Sequence, residues 1–245
     1  MELHGSIALV TGGAQRVGKA IALALAQAGA EVIITYHSSA DQAQATVAEI
    51  KQSGGRAAAY ACNQSDVTSI NDLFSALRRD FDHLDILINN AAIMERQPVL
   101  DVTLDDWERV LNTNLRGPFF MAQAAARWMI ETQRPGVIVN IADTAALKPW
   151  PGYITHTISK TGVVAMTETL ALALAPQIRV NAIAPGPILK PPAWSDERWQ
   201  RSTEATVPLK RTATIEDLTE AVLTCVRNEF MTGHTLVIDG GRSLK

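Results

Sequence analysis

Short apolar runs recur along the chain and alternate with longer amphipathic segments. Within each run the residues are apolar almost throughout, rather than at every second position, which indicates strands buried on both faces of a sheet. These runs occupy residues 7–10, 32–35, 57–61, 86–88, 137–141, 180–183 and 236–238. Strands that alternate with helices form βαβ units with right-handed crossovers. We therefore expect an α/β fold with a doubly wound parallel sheet of seven strands and helices on both faces.

Turn and cap residues predict where some of these elements begin and end. Ser39 followed by Gln42 is typical of a capping box before a helix over residues 43–52, and Gly54 is suited to end that helix. Prolines prevent residues 185–193 from continuing a strand or a helix, and a segment rich in tryptophan and charge follows. We expect one domain over residues 1–245, with a lid over a ligand crevice at about 186–210.

The overall composition narrows the class of protein and of partner. The chain has 245 residues, 47% of them hydrophobic and 19% charged, and a formal net charge of −3, which gives no cationic surface for nucleic acid or acidic lipid. Cys62 and Cys225 are isolated from other metal-ligand residues, so neither a disulfide framework nor a metal site is predicted. No apolar span of 18 residues and no secretory signal pattern occurs. We expect a cytoplasmic protein that acts on a small molecule, without nucleic acid or membrane partners.

A glycine-rich turn joins the first apolar run to the first amphipathic segment. Gly12 allows the tight turn, Gly18 allows close helix packing, and the N-terminus of the following helix offers free N–H groups to a pyrophosphate. A glycine-rich segment is weak evidence alone, but a position between the first strand and the first helix is the context that a dinucleotide site requires. The pattern therefore predicts dinucleotide binding.

The same turn resembles the Thr-Gly-x-x-x-Gly-x-Gly motif of the short-chain dehydrogenase/reductase family, with Arg16 in place of the middle glycine, a substitution typical of its pteridine reductase branch. The resemblance implies a Rossmann fold and a nicotinamide cofactor. No acid follows the second strand to bind a ribose 2′-hydroxyl, while Arg16, His37, Ser38 and Ser39 could donate to a 2′-phosphate. NADPH is therefore favoured, although His37 and Ser39 could equally be a loop residue and a helix cap.

Further motifs extend the resemblance along the whole chain. Asn63 aligns with the family's adenine-contacting aspartate, and its amide oxygen could accept from the adenine amine. Asn114 matches an asparagine that bends a helix and holds a water near the lysine of the site, and the stretch 239–244 resembles the C-terminal end of the pteridine reductases. The remaining residues that the resemblance assigns to the cofactor are Val17, Asn90, Ala91, Lys160, Pro185, Gly186 and Ile188.

The chemistry depends on a departure from the family pattern. His156 stands four residues before Lys160, where the family carries tyrosine, and helical spacing puts both side chains on one face. Asp143 stands where most members carry serine, as in pteridine reductases. The resemblance implies pro-S hydride delivery, here to a pterin or related C=N unit, with Asp143 orienting the substrate. Since imidazole is the commonest general acid, we expect His156 or a linked water to protonate nitrogen. Tyr153, within helical reach of the same face, could supply a phenol instead.

Three alternatives stay open. Met94 replaces the aromatic residue that the pteridine reductase branch places against the pterin, so a carbonyl reductase of the 3-oxoacyl thioester or hydroxysteroid type is possible, although the Asp143 anion would oppose a developing alkoxide. The second alternative is an NADPH-binding protein with little or no turnover. The third concerns single residues: Arg16 could be a solvated arginine at a helix start, and Asn114 a solvent-facing asparagine.

The resemblance also implies a homotetramer assembled through residues 104–130 and 153–174, where Ala165, Thr167, Ala171 and Ala173 would form a small-residue surface.

Overall fold

The computed structural model describes residues 1–245 and contains a single sheet of seven strands, as the apolar pattern predicts. All neighbouring strands are parallel, in the order β3-β2-β1-β4-β5-β6-β7. The strands are β1 Ile7–Val10, β2 Glu31–Tyr36, β3 Ala57–Ala61, β4 Ile86–Asn89, β5 Gly136–Ile141, β6 Ile178–Pro185 and β7 Thr235–Ile238. The doubly wound Rossmann fold is thereby confirmed.

Eight α-helices cover the two faces of this sheet. They are α1 Arg16–Gln27, α2 Ala40–Gln52, α3 Val67–Asp80, α4 Leu104–Leu111, α5 Gly117–Glu131, α6 Ile154–Leu174, α7 Asp196–Thr206 and α8 Ile215–Arg227. Apolar side chains of α1, α2 and α8 form one core with one face of the sheet, and those of α3 and α5 form a second core with the other. Continuous apolar strands are buried because both faces are covered in this way.

Three expectations about local structure are wrong in part. Ser39 precedes α2, but its side chain makes no capping hydrogen bond, so the predicted capping box with Gln42 does not form. Tyr153 precedes α6 with φ −140°, outside the helix, so helical spacing does not place it on the face of Lys160. Of the four small residues expected on the outer surface of α6, Thr167 and Ala171 are buried.

The topology puts a crevice at the carboxyl edge of the sheet. The chain leaves β1 to one side of the sheet and β4 to the other, and a doubly wound sheet binds its ligands above such a reversal of strand order. The turn after β1 and the residues after β4 meet there, since Asn90 N donates to Thr11 Oγ1 at 2.9 Å. None of the helices combines the length and the apolar character needed to cross a bilayer.

Candidate active site at the carboxyl edge of the sheet

The glycine turn after β1 is built for close approach. Gly12 has φ +64°, in the region that favours glycine, and a Cβ on Gly18 would lie 2.1 Å from the Gly12 carbonyl oxygen. Asn90 Nδ2 donates to the Thr11 carbonyl at 2.8 Å and so ties the turn to the end of β4. The turn therefore holds a fixed shape in which the N-terminus of α1 faces the crevice.

Arg16 has an unusual backbone for a non-glycine residue. Its φ is +52°, which explains why a glycine suits this position in the motif that the turn resembles. The side chain is exposed, and its guanidinium donates to the Lys190 carbonyl over 3.4 Å. Arg16 thus lies between the turn and the segment that follows β6.

A cleft of about 650 Å³ lies above the ends of β1, β2, β3 and β4. It contains ten of the predicted cofactor residues: Gly12, Arg16, Val17, Gly18, His37, Ser38, Ser39, Asn63, Asn90 and Ala91. The hydroxyls of Ser38 and Ser39, which follow β2, make no hydrogen bond within the protein. For Ser39 this is because the expected helix cap does not form. These hydroxyls are free to donate to a phosphate.

Asn63 lies in the cleft, but its amide oxygen is already used. It accepts hydrogen bonds from the backbone N–H and the hydroxyl of Ser65, at 3.2 and 2.8 Å. The expectation that this oxygen accepts from an adenine amine is therefore not supported by its hydrogen bonding. The neighbouring Gln64, which the sequence did not single out, is 7% exposed and bridges the Ala91 and Thr113 carbonyls.

The helical segment after α4 contains a π-turn at Asn112–Arg116, an irregularity of the kind at which helices bend, at the place where a bend is expected around Asn114. The Asn114 oxygen accepts from Ile93 N at 2.8 Å, and its amide nitrogen donates to the Ile93 carbonyl at 2.8 Å and to Ser159 Oγ at 3.2 Å. Both amide hydrogens and the oxygen are thus engaged by protein. The side chain acts as a clamp between three segments and has no free N–H for the expected water.

Asp143 and His156 lie next to each other, although they come from different elements. One carboxylate oxygen of Asp143 accepts from Ala145 N at 2.7 Å, and the other lies 3.5 Å from His156 Nε2. His156 Nδ1 lies 3.4 Å from the Ile93 carbonyl, which can only accept, so a hydrogen bond there requires a proton on Nδ1. Both ring nitrogens therefore face oxygen acceptors, and only the doubly protonated ring could donate to both.

The contact between the two side chains is loose. At 3.5 Å the atoms are within ion-pair range, yet His156 Nε2 makes no hydrogen bond with the protein although it is buried. The imidazole side chain is 4% exposed and the carboxylate side chain 20%. A buried polar atom without a partner is uncommon, so this nitrogen is available to a small bound group.

Lys160 lies one turn further along α6 and is also buried. Its ammonium group donates to the Ile141 carbonyl at 2.6 Å, at the end of β5. Burial lowers the pKa of Lys160 to about 8, and the nearby Asp143 carboxylate opposes part of that shift. The strand end and the helix thus bring together Asp143, His156 and Lys160, three of the five residues that the sequence analysis proposes for the chemistry.

Tyr153 is directed into an aromatic cluster. Its ring packs edge to face on Trp150, with centroids 5.8 Å apart, and the Trp150 ring also stacks on His156 at 6.5 Å with an interplanar angle of 22°. The Tyr153 hydroxyl makes no hydrogen bond with Asp143, His156 or Lys160. Trp150 was not predicted, since nothing in a loop sequence shows which ring it will touch.

Pro185 is the last residue of β6, and Gly186 and Ile188 follow it; all three lie outside the cleft described above. Gly186 N donates to the Ile238 carbonyl at 2.9 Å, and a Cβ on Gly186 would lie 2.7 Å from Asp239 Cα. Ile188 packs on the core formed with α1 and α8. These residues connect the site to α7. The range of α7, Asp196–Thr206, falls within the predicted lid at about 186–210.

The sequence and the fold of the chain match one protein family. A family model described as enoyl-(acyl carrier protein) reductase matches residues 12–243. The chain belongs to the short-chain dehydrogenase/reductase family, whose members are oxidoreductases.

Individual relatives in this family cover nearly the whole chain. It is 34% identical to 3beta-hydroxysteroid dehydrogenase 1 of Eggerthella lenta, over 99% of this chain and 95% of that protein. It is also 34% identical to a 3-oxoacyl-[acyl-carrier-protein] reductase of Synechocystis, over 98% and 97%. The crystal structure of FolM alternative dihydrofolate reductase 1 from Brucella canis, complexed with NADP, is similar with a TM-score of 0.93 and 32% identity, over 100% of this chain and 96% of that one.

Proposed function

We propose that the protein is an NADPH-dependent reductase of a pterin or a related ring with a C=N bond. The observation that carries the proposal is the pair formed by the Asp143 carboxylate and the buried, unpartnered Nε2 of His156. A carboxylate suits the amidine-like N–H groups of such a ring, and an imidazole can protonate its nitrogen. The similarity to an alternative dihydrofolate reductase also supports this substrate class.

The cleft fits a phosphorylated dinucleotide. Gly12 and Gly18 let the turn pack closely enough to present the N-terminus of α1 to a pyrophosphate, and none of residues 37–39 is a carboxylate that would repel a 2′-phosphate. Arg16, Ser38 and Ser39 would bind that phosphate, with His37 beside them, and Asn90 and Ala91 would lie along the adenosine. When bound, the dinucleotide supplies the hydride.

The protein's own residues then have distinct tasks. Asp143 would orient the substrate ring with the oxygen that is not fixed by Ala145 N, and His156 would donate its Nε2 proton to the substrate nitrogen as the C=N electron pair moves there. The partly exposed Asp143 offers a route for that proton to be replaced from solvent. Lys160, held at the Ile141 carbonyl, would contact the nicotinamide ribose, and Asn114 would keep Ile93 in place beneath His156.

A carbonyl reductase is the second candidate, and the curated relatives favour it. Two of them are named as a hydroxysteroid dehydrogenase and a 3-oxoacyl reductase. An anion at Asp143 opposes it, because ketone reduction develops negative charge on oxygen in the same place. The two candidates therefore differ in how they depend on this carboxylate.

The test is steady-state oxidation of NADPH with dihydrobiopterin, dihydrofolate and an acetoacetyl thioester, for the protein and for Asp143→Asn. We expect turnover of a pterin and a fall in kcat/KM of about 10-fold in the variant, since a charge-assisted hydrogen bond becomes a neutral one. Asp72→Asn, on the exposed surface of α3 and outside the cleft, is the matched control. Turnover of the thioester alone, or an Asp143→Asn variant with improved ketone reduction, would establish the carbonyl reductase instead.

A further inference from the structure

A second cavity, of about 310 Å³, lies beside the candidate active site, and the ionisable side chains that line it are all basic. It is lined by the loop after β5, the end of α7 and the C-terminal turn. Its ionisable residues are Lys148, Arg242 and Lys245, and no aspartate or glutamate lines it. A cavity with charges of one sign attracts ligands of the other sign.

The guanidinium of Arg242 has no acidic partner. Its Cζ lies 4.8 Å from the centre of the Trp150 ring, and the side chain makes neither an ion pair nor a hydrogen bond within the protein. The two lysines differ from Arg242 because protein oxygens already engage them. Lys148 Nζ donates to the Lys245 main-chain oxygen, and Lys245 Nζ donates to the Ala205 carbonyl at 2.6 Å. Arg242 thus keeps its five N–H donors, in the planar fork that matches a carboxylate or a phosphate.

The backbone around Arg242 is held in place by Asp239. Its carboxylate accepts from Gly241 N at 2.8 Å and from Ser243 N at 2.7 Å. Burial alone would raise the pKa of Asp239, but the hydrogen bonds from Ser243, Gly241 and Arg242 outweigh it and lower the pKa. The turn that presents Arg242 is therefore ordered without a ligand, which reduces the entropic cost of binding one.

The cavity shares its wall with the candidate active site. Thr144, which lines the cavity, follows Asp143 directly, and the Trp150 ring that Arg242 covers also stacks on His156. The guanidinium carbon can therefore be no farther from the imidazole ring than the sum of the two distances to Trp150, 6.5 and 4.8 Å. An extended substrate arm of about that length, such as an aminobenzoylglutamate arm, can therefore reach the guanidinium.

We propose that this cavity binds the anionic end of an arm carried by the substrate. The anionic group is a carboxylate or a phosphate, and Arg242 is the main residue that binds it. The inference rests on the proposed function, because it places the reducible group at Asp143 and His156. It narrows the substrate to a molecule with an acidic arm, as opposed to one with a neutral side chain.

The first test compares two pterins in steady-state kinetics. Dihydrofolate has an arm with two carboxylates, whereas the arm of dihydrobiopterin is uncharged. For Arg242→Gln we expect KM for dihydrofolate to rise by about 10-fold or more, the effect of losing a hydrogen bond to a charged group, with kcat little changed. Dihydrobiopterin kinetics should stay within about twofold, as should both substrates in the control Arg201→Gln, an exposed arginine of α7 outside the cavity. Equal effects on the two pterins, or none on either, would overturn the proposal.

The second test needs no turnover and separates the cavity from the reaction. p-Aminobenzoylglutamate and 4′-phosphopantetheine are titrated onto the NADPH-bound protein, and the indole N–H signal of Trp150, assigned with Trp150→Phe, is followed by NMR. We expect at least one probe to shift this signal and to bind about 10-fold more weakly to Arg242→Gln. The better probe identifies the acid as carboxylate or phosphate. If no pterin is reduced but a probe still binds through Arg242, only the proposed reaction fails; if pterins are reduced and neither probe binds, only the cavity's role fails.

Discussion

At the scale of single residues, the account depends on which atoms are left without partners. His156 Nε2 is buried without a hydrogen-bond partner, and the partly buried Arg242 guanidinium also lacks one within the protein. Leaving a buried polar group unpaired costs about 1–3 kcal/mol, so a ligand that pairs with it recovers part of that free energy. Both groups contact the ring of Trp150, which therefore connects the proposed proton donor with the proposed anchor of the substrate arm.

Arg16 allows a residue-scale prediction about the cofactor. Arg16→Gly removes the proposed partner of the 2′-phosphate and should weaken NADPH binding about 10-fold while NADH binding changes little, measured by fluorescence titration. Stability should hardly change, because relief of the φ of +52° is worth about 1–2 kcal/mol and the flexibility of glycine in the unfolded chain costs about 0.5–1 kcal/mol. Equal losses for the two dinucleotides would contradict the assignment, and Arg56→Gly, an exposed arginine outside the cleft, is the control.

The sequence predicted residues whose role follows from the backbone better than residues whose role depends on tertiary contacts. Gly12 and Gly18 could be found because the turn after a first strand restricts what fits there. Asn63 and Asn114 were found by position, but their hydrogen-bond partners were not, because Ser65 and Ile93 compete for the same amide atoms. Competition of this kind has no signature in the sequence.

At the scale of elements, the site is made where α6 meets the ends of β4 and β5. The helix supplies His156 and Lys160, the π-turn supplies the Asn114 clamp, and β5 ends at the Ile141 carbonyl that holds the lysine. Periodicity predicted the strands and the alignment of the histidine and lysine. It could not predict that α6 begins after Tyr153, because the start of a helix in a proline-rich loop depends on packing against Trp150.

Burying Lys160 in α6 has a consequence for stability that depends on pH. Because its pKa falls from 10.5 to about 8 on folding, the unfolded chain binds more protons between those values, and stability rises with pH across that window. From about pH 7 to about pH 9.5 the protein should gain about 2 kcal/mol of unfolding free energy relative to Lys160→Met, since each pKa unit is worth about 1.4 kcal/mol. Urea unfolding at the two pH values measures this difference, and other titrating groups cancel between the two proteins. If the difference in unfolding free energy between the two proteins stays constant or shrinks as pH rises, folding does not lower the pKa of Lys160.

At the scale of the whole molecule, one sheet brings distant parts of the chain into two adjoining sites. The class of fold and the place of the cofactor cleft follow from the order of strands and helices, which the apolar pattern predicted. The basic cavity proposed to bind an anion does not, because Lys148, Ala205 and Arg242 meet only when three separate segments pack together. Long-range meetings of this kind are set by tertiary packing and leave no local pattern.

Assembly is a further prediction at this scale. Large apolar side chains are exposed along the predicted interface segment, among them Leu104, Trp107, Phe119 and Ile130, although only half of the predicted small-residue surface of α6 is exposed. We expect a homotetramer by light scattering, with a mass about four times 26.5 kDa. Leu104→Asp should reduce this mass, because it would bury a charge in the apolar subunit interface. Leu209→Asp, at an exposed position in the predicted lid, should leave the mass unchanged. A monomeric protein would contradict the assembly.

The most direct test of the central claim is the rate of NADPH oxidation by His156→Gln with the pterin substrate, measured beside the affinity for NADPH. If His156 donates the proton, kcat falls by about 100-fold or more, while the dissociation constant of NADPH stays within about twofold, because the loss affects only the transition state. Unchanged kcat in His156→Gln would contradict the claim. So would a protein that binds NADPH, reduces neither pterin nor ketone, and gains activity only when His156 is replaced by tyrosine.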